Sequence, residues 1–283
     1  MTLAEQSGAQ SDTTPQSPEQ FDNHNHACHA GTRAHNPATP PAVASPEPAE
    51  GTIAGTVVFD FDGTLCLGDG PVWSYAEHAY ANLEPELRHE AEAALDGYLA
   101  GTMPAQTRET HGWQDGYDVV ASFCRDRMAP QRLQEAYLAS RAELAAGSAS
   151  VHMPDGMKDF LRRLGVLGCK RILLSNSPIT GLRETLERFG VTDDIDTVVP
   201  NGGKPSQWPQ HLADFTEAAG SGHLLSIGDY WTNDIEPVLA TGYEVAYIHD
   251  SEPSGAHDRP TYQASKLPQM YDAILEGCAA WLR

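Results

Sequence analysis

The sequence predicts a doubly wound α/β fold, in which helices cover both faces of a parallel sheet. Short apolar runs recur along the chain, and stretches with the apolar spacing of amphipathic helices separate them. The runs are nearly all apolar rather than alternating, which is typical of parallel strands buried on both faces. One long stretch after the first run contains no strand pattern, which indicates an insertion in this Rossmann-like sheet.

Five segments have the composition of buried strands. They are short and nearly all apolar, and most are bounded by polar residues or glycine. The segment IDTVV is the weakest of the five. The strands are predicted at 56–61, 170–175, 195–199, 223–227 and 243–248.

The segments between these strands have helical spacing. Phe160, Leu161 and Leu164 follow Met157 at positions i+3, i+4 and i+7. At the end of the chain, an apolar stripe over 267–282 predicts a long closing helix. A similar spacing after the second strand predicts another helix, through Leu182, Leu186 and Phe189.

The stretch between the first and second strands is too long to be a loop. Apolar residues recur there with helical spacing over 87–98 and 133–144, so we expect a separate small helical domain. The predicted organisation is a tail at 1–52, an α/β core at 53–66 and 151–283, and a helical domain at 67–150.

The predicted tail is rich in Pro, Ser, Thr, Ala and Glu and poor in large apolar residues, which is typical of disorder. It contains a cluster of histidines with one cysteine, for which two interpretations stay open. The cluster is either a site for a soft metal ion such as Zn²⁺, Ni²⁺ or Cu, or part of a polar tail that is rich in histidine. Its members are His24, His26, Cys28, His29 and His35.

The chain is acidic, with a formal net charge of −21. Such a charge repels nucleic-acid phosphates and anionic lipids, so we expect neither a nucleic-acid nor a membrane partner. The five cysteines lack paired spacing, which is typical of a reducing compartment. Because no signal-peptide pattern or bilayer-spanning run is present, we expect a cytoplasmic protein.

Polar side chains follow the predicted strands at their carboxyl ends. Ligands of open parallel sheets bind beyond these ends, so we expect the side chains to share one site. They are Asp60 and Asp62 after the first strand, Ser175 after the second, Lys204 in a glycine-rich loop, and Asp229 and Asp234 after the strand at 223–227.

This set of side chains restricts the chemistry. Several carboxylates close together repel one another and require a cation, and an all-oxygen site is typical of Mg²⁺. Lys204 and Ser175 can bind phosphoryl oxygens, while one aspartate acts as nucleophile and another transfers protons. Taken singly, each motif could also be a turn, a helix cap or an ordinary loop. Their joint occurrence at strand ends favours phosphoryl transfer.

Four motifs resemble, in order, those of the haloacid dehalogenase (HAD) superfamily: DFDGTL at 60–65, LLSNS at 173–177, GGKP at 202–205 and GDYWTND at 228–234. The resemblance implies that Asp60 is the nucleophile and Asp62 the general acid and base. It further implies a phosphoryl clamp of Ser175 and Lys204, substrate contacts from Gly63, Thr64 and Asn176, and Mg²⁺ ligands from Asp60, the Asp62 backbone carbonyl, Asp229 and Asp234.

The insertion and the segment MPDGMKDFLRRL are similar to superfamily members with a helical cap, such as phosphoglycolate phosphatase-like enzymes. The resemblance implies a Mg²⁺-dependent phosphatase that hydrolyses a small phosphorylated metabolite through an aspartyl phosphate. Two alternatives stay open: a sugar-phosphate mutase, and a non-catalytic binding or regulatory protein with a retained site. A dehalogenase is disfavoured because dehalogenases of the superfamily lack the acid found here at Asp62.

Several basic residues of the predicted cap are candidates for substrate contacts. Solvated helix faces and ion pairs explain such side chains more often. The segment LCLGDGPVW, which follows the first motif, also departs from the DS of many capped relatives, so the substrate is not indicated. The candidates are His78, His89, His111, Arg88, Arg108, Arg125 and Arg127.

Overall fold

The structure, a computed structural model, describes residues 53–220, 222–249 and 259–283. The predicted tail and its His and Cys cluster lie outside these residues. The described chain contains six strands in one sheet, and every neighbouring pair is parallel. The predicted doubly wound α/β fold is confirmed.

The described elements mostly alternate between strands and helices, apart from one block of five helices after the first strand and from β5 and β6, which follow one another among the described elements. The strands are β1 (Gly55–Phe59), β2 (Cys169–Leu174), β3 (Thr197–Val199), β4 (Leu224–Gly228), β5 (Glu244–Ile248) and β6 (Tyr262–Ala264). The helices are α1 (Gly70–Tyr80), α2 (Pro85–Leu99), α3 (Ala105–His111), α4 (Gly116–Cys124), α5 (Pro130–Ala146), α6 (Met157–Val166), α7 (Ile179–Phe189), α8 (Trp208–Ala219), α9 (Glu236–Leu239) and α10 (Tyr271–Ala280).

The strand order is β3-β2-β1-β4-β5-β6, which places β1 in the middle of the sheet. The chain winds outward in one direction from β1 through β2 to β3, and then in the other direction from β4 to β6. The winding direction therefore switches between β1 and β4, where ligands of such sheets bind. The five predicted strands are present within two residues at each end, and β6 was not predicted because its short sequence, Tyr-Gln-Ala, is not an apolar run.

Side chains of the strands alternate between two apolar clusters, one on each face of the sheet. Val57 and Phe59 of β1 pack with α6, α7 and α10 on one face. Val58 packs on the other face against α8, where Trp208 is among the largest fully buried side chains. Because both faces are covered, the central strands have the uniformly apolar composition of a parallel sheet.

The helices α1 to α5 contain a third apolar cluster of their own, which includes Tyr80, Leu95 and Val119. The chain enters and leaves this block side by side, because Leu67 and His152 exchange two backbone hydrogen bonds of 2.8 and 2.9 Å. Within this block, helical spacing predicted only α2 and α5. The boundaries of a cap domain at 67 and 150 stay a prediction.

The closing helix is shorter than predicted. Residues 267–269 form a separate 3₁₀ turn, and α10 begins only at Tyr271, because Met270 leaves the regular helical conformation between them. The apolar stripe continues across both pieces, which is why the sequence pattern does not reveal the break. Within the described ranges, no helix has the length and apolar character needed to cross a bilayer.

Candidate active site

The carboxyl ends of the central strands meet at a cavity of about 570 Å³. The backbone N–H of Asp60 donates to the carbonyl of Ile227 on β4 at 2.9 Å, and that of Ser175 donates to Val199 on β3 at 3.0 Å. The ladders of the sheet thus hold the residues that directly follow β1 and β2. The predicted site residues that line the cavity are Asp60, Asp62, Gly63, Ser175, Asn176, Lys204, Asp229 and Asp234.

Asp60, Asp229 and Asp234 form the acidic centre of this cavity. Each offers one carboxylate oxygen, and these oxygens lie within 4.8 Å of one another. The Lys204 ammonium donates to Asp60 at 2.7 Å and to Asp234 at 2.5 Å. One lysine therefore faces three carboxylates, which leaves an excess of negative charge.

Burial dominates the electrostatics of this centre. It raises the pKa of the Asp60 carboxyl to about 7, although Lys204 lowers it. Burial, together with the charges of Asp60 and Asp234, also raises the pKa of Asp229 well above its usual value. For Lys204, burial lowers the pKa, but the two bonded carboxylates outweigh that effect and raise it. The carboxylates thus lack the positive charge needed to stabilise their ionised forms.

A divalent cation fits this centre. All the available ligand atoms are carboxylate oxygens, which hard cations such as Mg²⁺ and Ca²⁺ bind in preference to the nitrogen and sulfur ligands of softer metals. A second positive group would also offset the charge that Lys204 leaves uncompensated. Of the predicted metal ligands, only the Asp62 carboxylate stands apart from the cluster, and ligation through its backbone carbonyl stays a prediction.

Two glycines allow the close approaches in this centre. Gly63 has a φ of +83°, and a Cβ there would lie 2.0 Å from a carboxylate oxygen of Asp229. A Cβ at Gly228 would lie 2.4 Å from the Cβ of Asp234. Any side chain at either position would displace an aspartate, so both glycines are needed for the geometry.

Asp234 lies in a short π-helical turn, Trp231–Ile235, that follows β4. Such turns are rare and occur frequently at functional sites. The Ser226 hydroxyl donates to the Asp234 carbonyl at 2.8 Å, which ties the turn back to the strand. This arrangement turns the Asp234 carboxylate towards Lys204.

The Lys204 loop is joined to the end of β2 by Asn176. The Asn176 amide donates to the Lys204 carbonyl at 2.9 Å and accepts from the Lys204 backbone N–H at 2.7 Å. Ser175 is buried, and its hydroxyl oxygen accepts from the backbone N–H of Ser177 at 3.1 Å. Asn176 therefore positions the lysine, while it also lines the cavity.

The structure does not bring Thr64 to the cavity surface, where a substrate contact was expected. Its side chain is fully buried, and its backbone N–H donates to the Phe61 carbonyl at 3.3 Å in the tight turn after β1. The turn directs the hydroxyl inward, and among the described residues this oxygen has no hydrogen-bond partner. The Thr64 side chain is therefore not part of the cavity lining, and a substrate contact from Thr64 stays a prediction.

The Asp62 carboxylate turns away from the acidic centre towards α5. Both of its oxygens lie 3.2 Å from the same guanidinium nitrogen of Arg141, and the Ser177 hydroxyl donates to it at 3.0 Å. The Arg141 side chain is only 1% exposed and also bonds to the Tyr117 hydroxyl. Asp60 and Asp62, although two residues apart, thus have different cationic partners.

Sequence reasoning missed Arg141, because an arginine on an amphipathic helix is usually solvated. Its guanidinium lies 5.3 Å from the Tyr117 ring centre and 5.2 Å from that of Tyr137, and all three are adjacent to the cavity. The only available signal was its position among apolar residues on α5. That signal is weak, since α5 has many small and polar residues.

The basic cap residues expected to meet an anionic substrate are elsewhere. Within the described residues, none of them lines the cavity at the strand ends. Arg88 pairs with Glu92 on the surface, His78 with Glu143, and His111 stacks on Trp113. His89 is exposed, Arg108 lies behind Tyr98, and Arg125 and Arg127 line two other hollows of the helical block.

The parallel sheet with its acids, lysine and serine at the strand ends defines the class of hydrolases to which the resemblance pointed. A family model of haloacid dehalogenase-like hydrolases matches residues 54–240, which is most of the described chain. The chain belongs to the haloacid dehalogenase-like hydrolases and is therefore a hydrolase. No curated protein sequence matches it as a relative.

Solved structures share the fold at low sequence identity. YfnB from Bacillus subtilis, solved with bound magnesium, has a TM-score of 0.53 at 16% identity, covering 79% of this chain and 99% of its own. CbbY from Rhodobacter sphaeroides, solved in complex with phosphate, has a TM-score of 0.53 at 14% identity, covering 76% of this chain and 95% of its own. A haloacid dehalogenase-like family hydrolase from Xanthomonas campestris has a TM-score of 0.50 at 18% identity, covering 82% of this chain and 99% of its own.

Proposed function

We propose that the protein is a Mg²⁺-dependent phosphatase that hydrolyses a small phosphorylated metabolite through an aspartyl phosphate on Asp60. The observation that carries the proposal is the pair of carboxylates after β1 with separate partners. Asp60 lies in the acidic centre beside Lys204, while Asp62 lies beside Arg141 and Ser177 at the same cavity. This difference supports attack by Asp60 and proton transfer by Asp62.

In the first step, an Asp60 oxygen attacks the phosphorus and the bond to the leaving-group oxygen breaks. Asp62, in its protonated form, gives its proton to that oxygen, and the alcohol leaves. The Lys204 ammonium and the Ser175 hydroxyl stabilise the charge on the phosphoryl oxygens during transfer. Asp60 is left as an acyl phosphate, and Asp62 is left ionised.

In the second step, the ionised Asp62 accepts a proton from a water molecule, whose oxygen attacks the phosphorus. The bond between phosphorus and the Asp60 oxygen breaks, so phosphate leaves and the Asp60 carboxylate is restored. Asp62 ends the cycle protonated, as it began. The same two groups therefore serve both steps, and no external acid or base is consumed.

Asp60, Asp229 and Asp234 would hold the metal ion, since their oxygens converge in one buried place. When bound, Mg²⁺ supplies positive charge that offsets the carboxylates and the phosphoryl group. The ligands present in two structural neighbours, magnesium in YfnB and phosphate in CbbY, are the two that this proposal assigns to the cavity.

The proposal is tested with purified protein and p-nitrophenyl phosphate. We expect turnover with Mg²⁺, loss of turnover with excess EDTA, and recovery when Mg²⁺ is restored. Ca²⁺ should substitute poorly, because its coordination is larger and looser. Full turnover in metal-free buffer, or no turnover of any phosphomonoester with Mg²⁺, would contradict the proposal.

A further inference from the structure

The inference concerns the part of the cavity that lies beyond the acidic centre, on the side of the helical block. Among the described residues that line the cavity, the only Lys, Arg or His side chain is Lys204. That ammonium already bonds to Asp60 and Asp234. No cation of the lining is therefore available to a second anionic group on the substrate.

The nearby arginines do not supply the cation that the lining lacks. Arg141 is 1% exposed and is bonded to Asp62, Ser177 and Tyr117. Arg108 lies 5.8 Å from the centre of the Tyr98 ring but outside the lining. Neither guanidinium is presented to the part of a substrate that lies beyond the phosphoryl group.

The wall of this part of the cavity, on the side of the helical block, carries negative charge. Asp69 and Asp115 line it in addition to the acids already described. Asp115 is the N-cap of α4, and one of its oxygens accepts from the Asp118 backbone N–H at 2.8 Å. Burial raises the pKa of its carboxyl to about 6, although hydrogen bonds from the backbone N–H groups of Asp118 and Tyr117 lower it.

Tyrosine rings complete this wall. Tyr98, Tyr117, Tyr137 and Tyr230 all line the cavity and are partly exposed. The faces of aromatic rings attract cations, and an adjacent carboxylate adds to that attraction. The Tyr117 and Tyr137 rings already have Arg141 at 5.3 and 5.2 Å from their centres, so a carboxylate or a second phosphate on the substrate is disfavoured mainly by the Asp115 carboxylate.

We infer that the substrate is a phosphomonoester whose leaving group carries no second anion and is best matched by an ammonium group. The inference rests on the proposed phosphatase function and adds the substrate class to it. Phosphorylated amino alcohols have this chemistry, whereas phosphoglycolate and sugar bisphosphates do not. The wall formed by Asp115 and the four tyrosines is the part of the cavity that makes the selection.

The test uses three substrates of nearly equal size that differ in one group. Phosphoglycolate, ethyl phosphate and ethanolamine phosphate all have a two-carbon leaving group, whose second carbon is a carboxylate, a methyl group and a methylene that carries an ammonium, respectively. We expect kcat/KM to be highest for ethanolamine phosphate and lowest for phosphoglycolate. One cation–π contact corresponds to about a 2- to 30-fold preference for the ammonium over the methyl group.

Asp115→Asn distinguishes the effect of the wall on kcat/KM from the effect of the substrates' intrinsic reactivity. Asparagine is as good an N-cap as aspartate, so α4 keeps its first turn. We expect the ratio of kcat/KM for ethanolamine phosphate to that for ethyl phosphate to fall in this variant. Asp118→Asn is the matched control, because it makes the same charge change on the same helix outside the lining, and its ratio should stay near that of the wild type.

The outcomes distinguish the two proposals. If neither p-nitrophenyl phosphate nor any of the three substrates is hydrolysed with Mg²⁺, the phosphatase proposal itself fails. If it is hydrolysed but phosphoglycolate is preferred over ethyl phosphate, only the substrate class is overturned. The same holds if Asp115→Asn leaves the ammonium preference unchanged, since the wall would then not be its source.

Discussion

Asp60 and Asp62 show how two identical side chains, two residues apart, acquire different environments. Phe61 is fully buried between them, and the tight turn that begins there directs one carboxylate to Lys204 and the other to Arg141. Asp60 faces two other acids, whereas Asp62 faces an arginine and a serine hydroxyl. The surroundings, rather than the residue type, therefore divide the proposed roles of nucleophile and proton carrier.

The division predicts opposite behaviour of two nearly isosteric variants. Asp60→Asn removes the attacking carboxylate, so we expect no turnover and no phosphoryl-enzyme. Asp62→Asn keeps the nucleophile but loses proton transfer, which typically contributes about 10²–10⁴ in rate. With p-nitrophenyl phosphate, whose leaving group needs no proton, this variant should accumulate phosphoryl-enzyme that hydroxylamine removes.

The measurement is the intact mass of each variant after a short incubation with p-nitrophenyl phosphate and Mg²⁺. The wild-type protein, which should turn over without accumulating the adduct, is the control. A stable phosphoryl group on Asp60→Asn together with none on Asp62→Asn would reverse the two roles.

At the level of single residues, the sequence predicted the acids and the lysine because each follows a strand at the same edge of the sheet. The apolar pattern indicates where each strand ends, so Asp60, Asp229 and Lys204 could be assigned to one site from the sequence alone. Arg141 could not be grouped with them, since helical spacing does not reveal which neighbouring element a helix face meets. The direction of the Thr64 side chain was hidden for a similar reason, because it depends on the geometry of one turn.

Among the helices α1 to α5, α5 has the most extensive contact with the core helix α7. Arg188 of α7 donates to the carbonyls of Leu144 and Ala145 in the last turn of α5, at 2.5 and 2.8 Å. The Leu144 carbonyl also accepts from the backbone N–H of Gly147, the C-cap of α5, at 3.0 Å, so the arginine adds to the capping of the helix from a different element. Gly181 of α7 has a φ of +90°, and a Cβ there would lie 3.1 Å from the Arg141 carbonyl. The two helices thus fix Arg141 at the site.

We therefore expect Arg141→Met to lower kcat by up to about 10²-fold, because a misplaced catalytic group loses rate steeply with distance. The loss should be larger for an alkyl phosphate than for p-nitrophenyl phosphate, since only the alkyl leaving group needs the Asp62 proton. The measurement is kcat and KM for both substrates.

Two further variants separate positioning from general damage to the fold. Arg141→Lys keeps a positive charge at the site and should recover part of kcat. Arg132→Met removes an exposed arginine from the same helix and should resemble the wild type. An equal loss of kcat for both substrates in Arg141→Met would indicate a merely structural role.

At the scale of elements, the long central features of the fold were predictable and the short ones were not. β1, β2, β4 and β5 are apolar along most of their length, so their pattern is strong. β6 has three residues and α3 has seven, which is too few for a period to stand out. The short helices of the insertion owe their stability to packing around Tyr80 and Leu95 rather than to their own sequences.

For the whole molecule, the buried acidic centre predicts that a divalent cation stabilises the folded state. Only the folded chain brings Asp60, Asp229 and Asp234 within 4.8 Å, so the ion binds it in preference to the unfolded chain. At a free Mg²⁺ concentration 100 times the Kd, this linkage adds about 2.7 kcal/mol to the free energy of unfolding. The melting temperature should rise accordingly in a thermal-denaturation experiment.

Sodium chloride at equal ionic strength is the control for general screening, and it should raise the melting temperature less. Without metal, the melting temperature of Asp229→Asn should equal or exceed that of the wild type, because the variant lacks one of the buried, mutually repelling carboxylates. Its shift with Mg²⁺ should be smaller than that of the wild type. Equal shifts in both proteins would contradict metal binding at the acidic centre.

The paired backbone of Leu67 and His152 has a consequence for how such a molecule can diversify. These residues exchange two hydrogen bonds where the helical block begins and ends, so the block departs from and returns to one point of the α/β unit. Closing a longer or shorter excursion at that point costs little, since the entropy of closure grows only slowly with length. We expect the stretch between the two residues to accept recombination with unrelated helical segments. The sheet could then keep one reaction through an evolutionary lineage while the wall that selects the substrate is replaced.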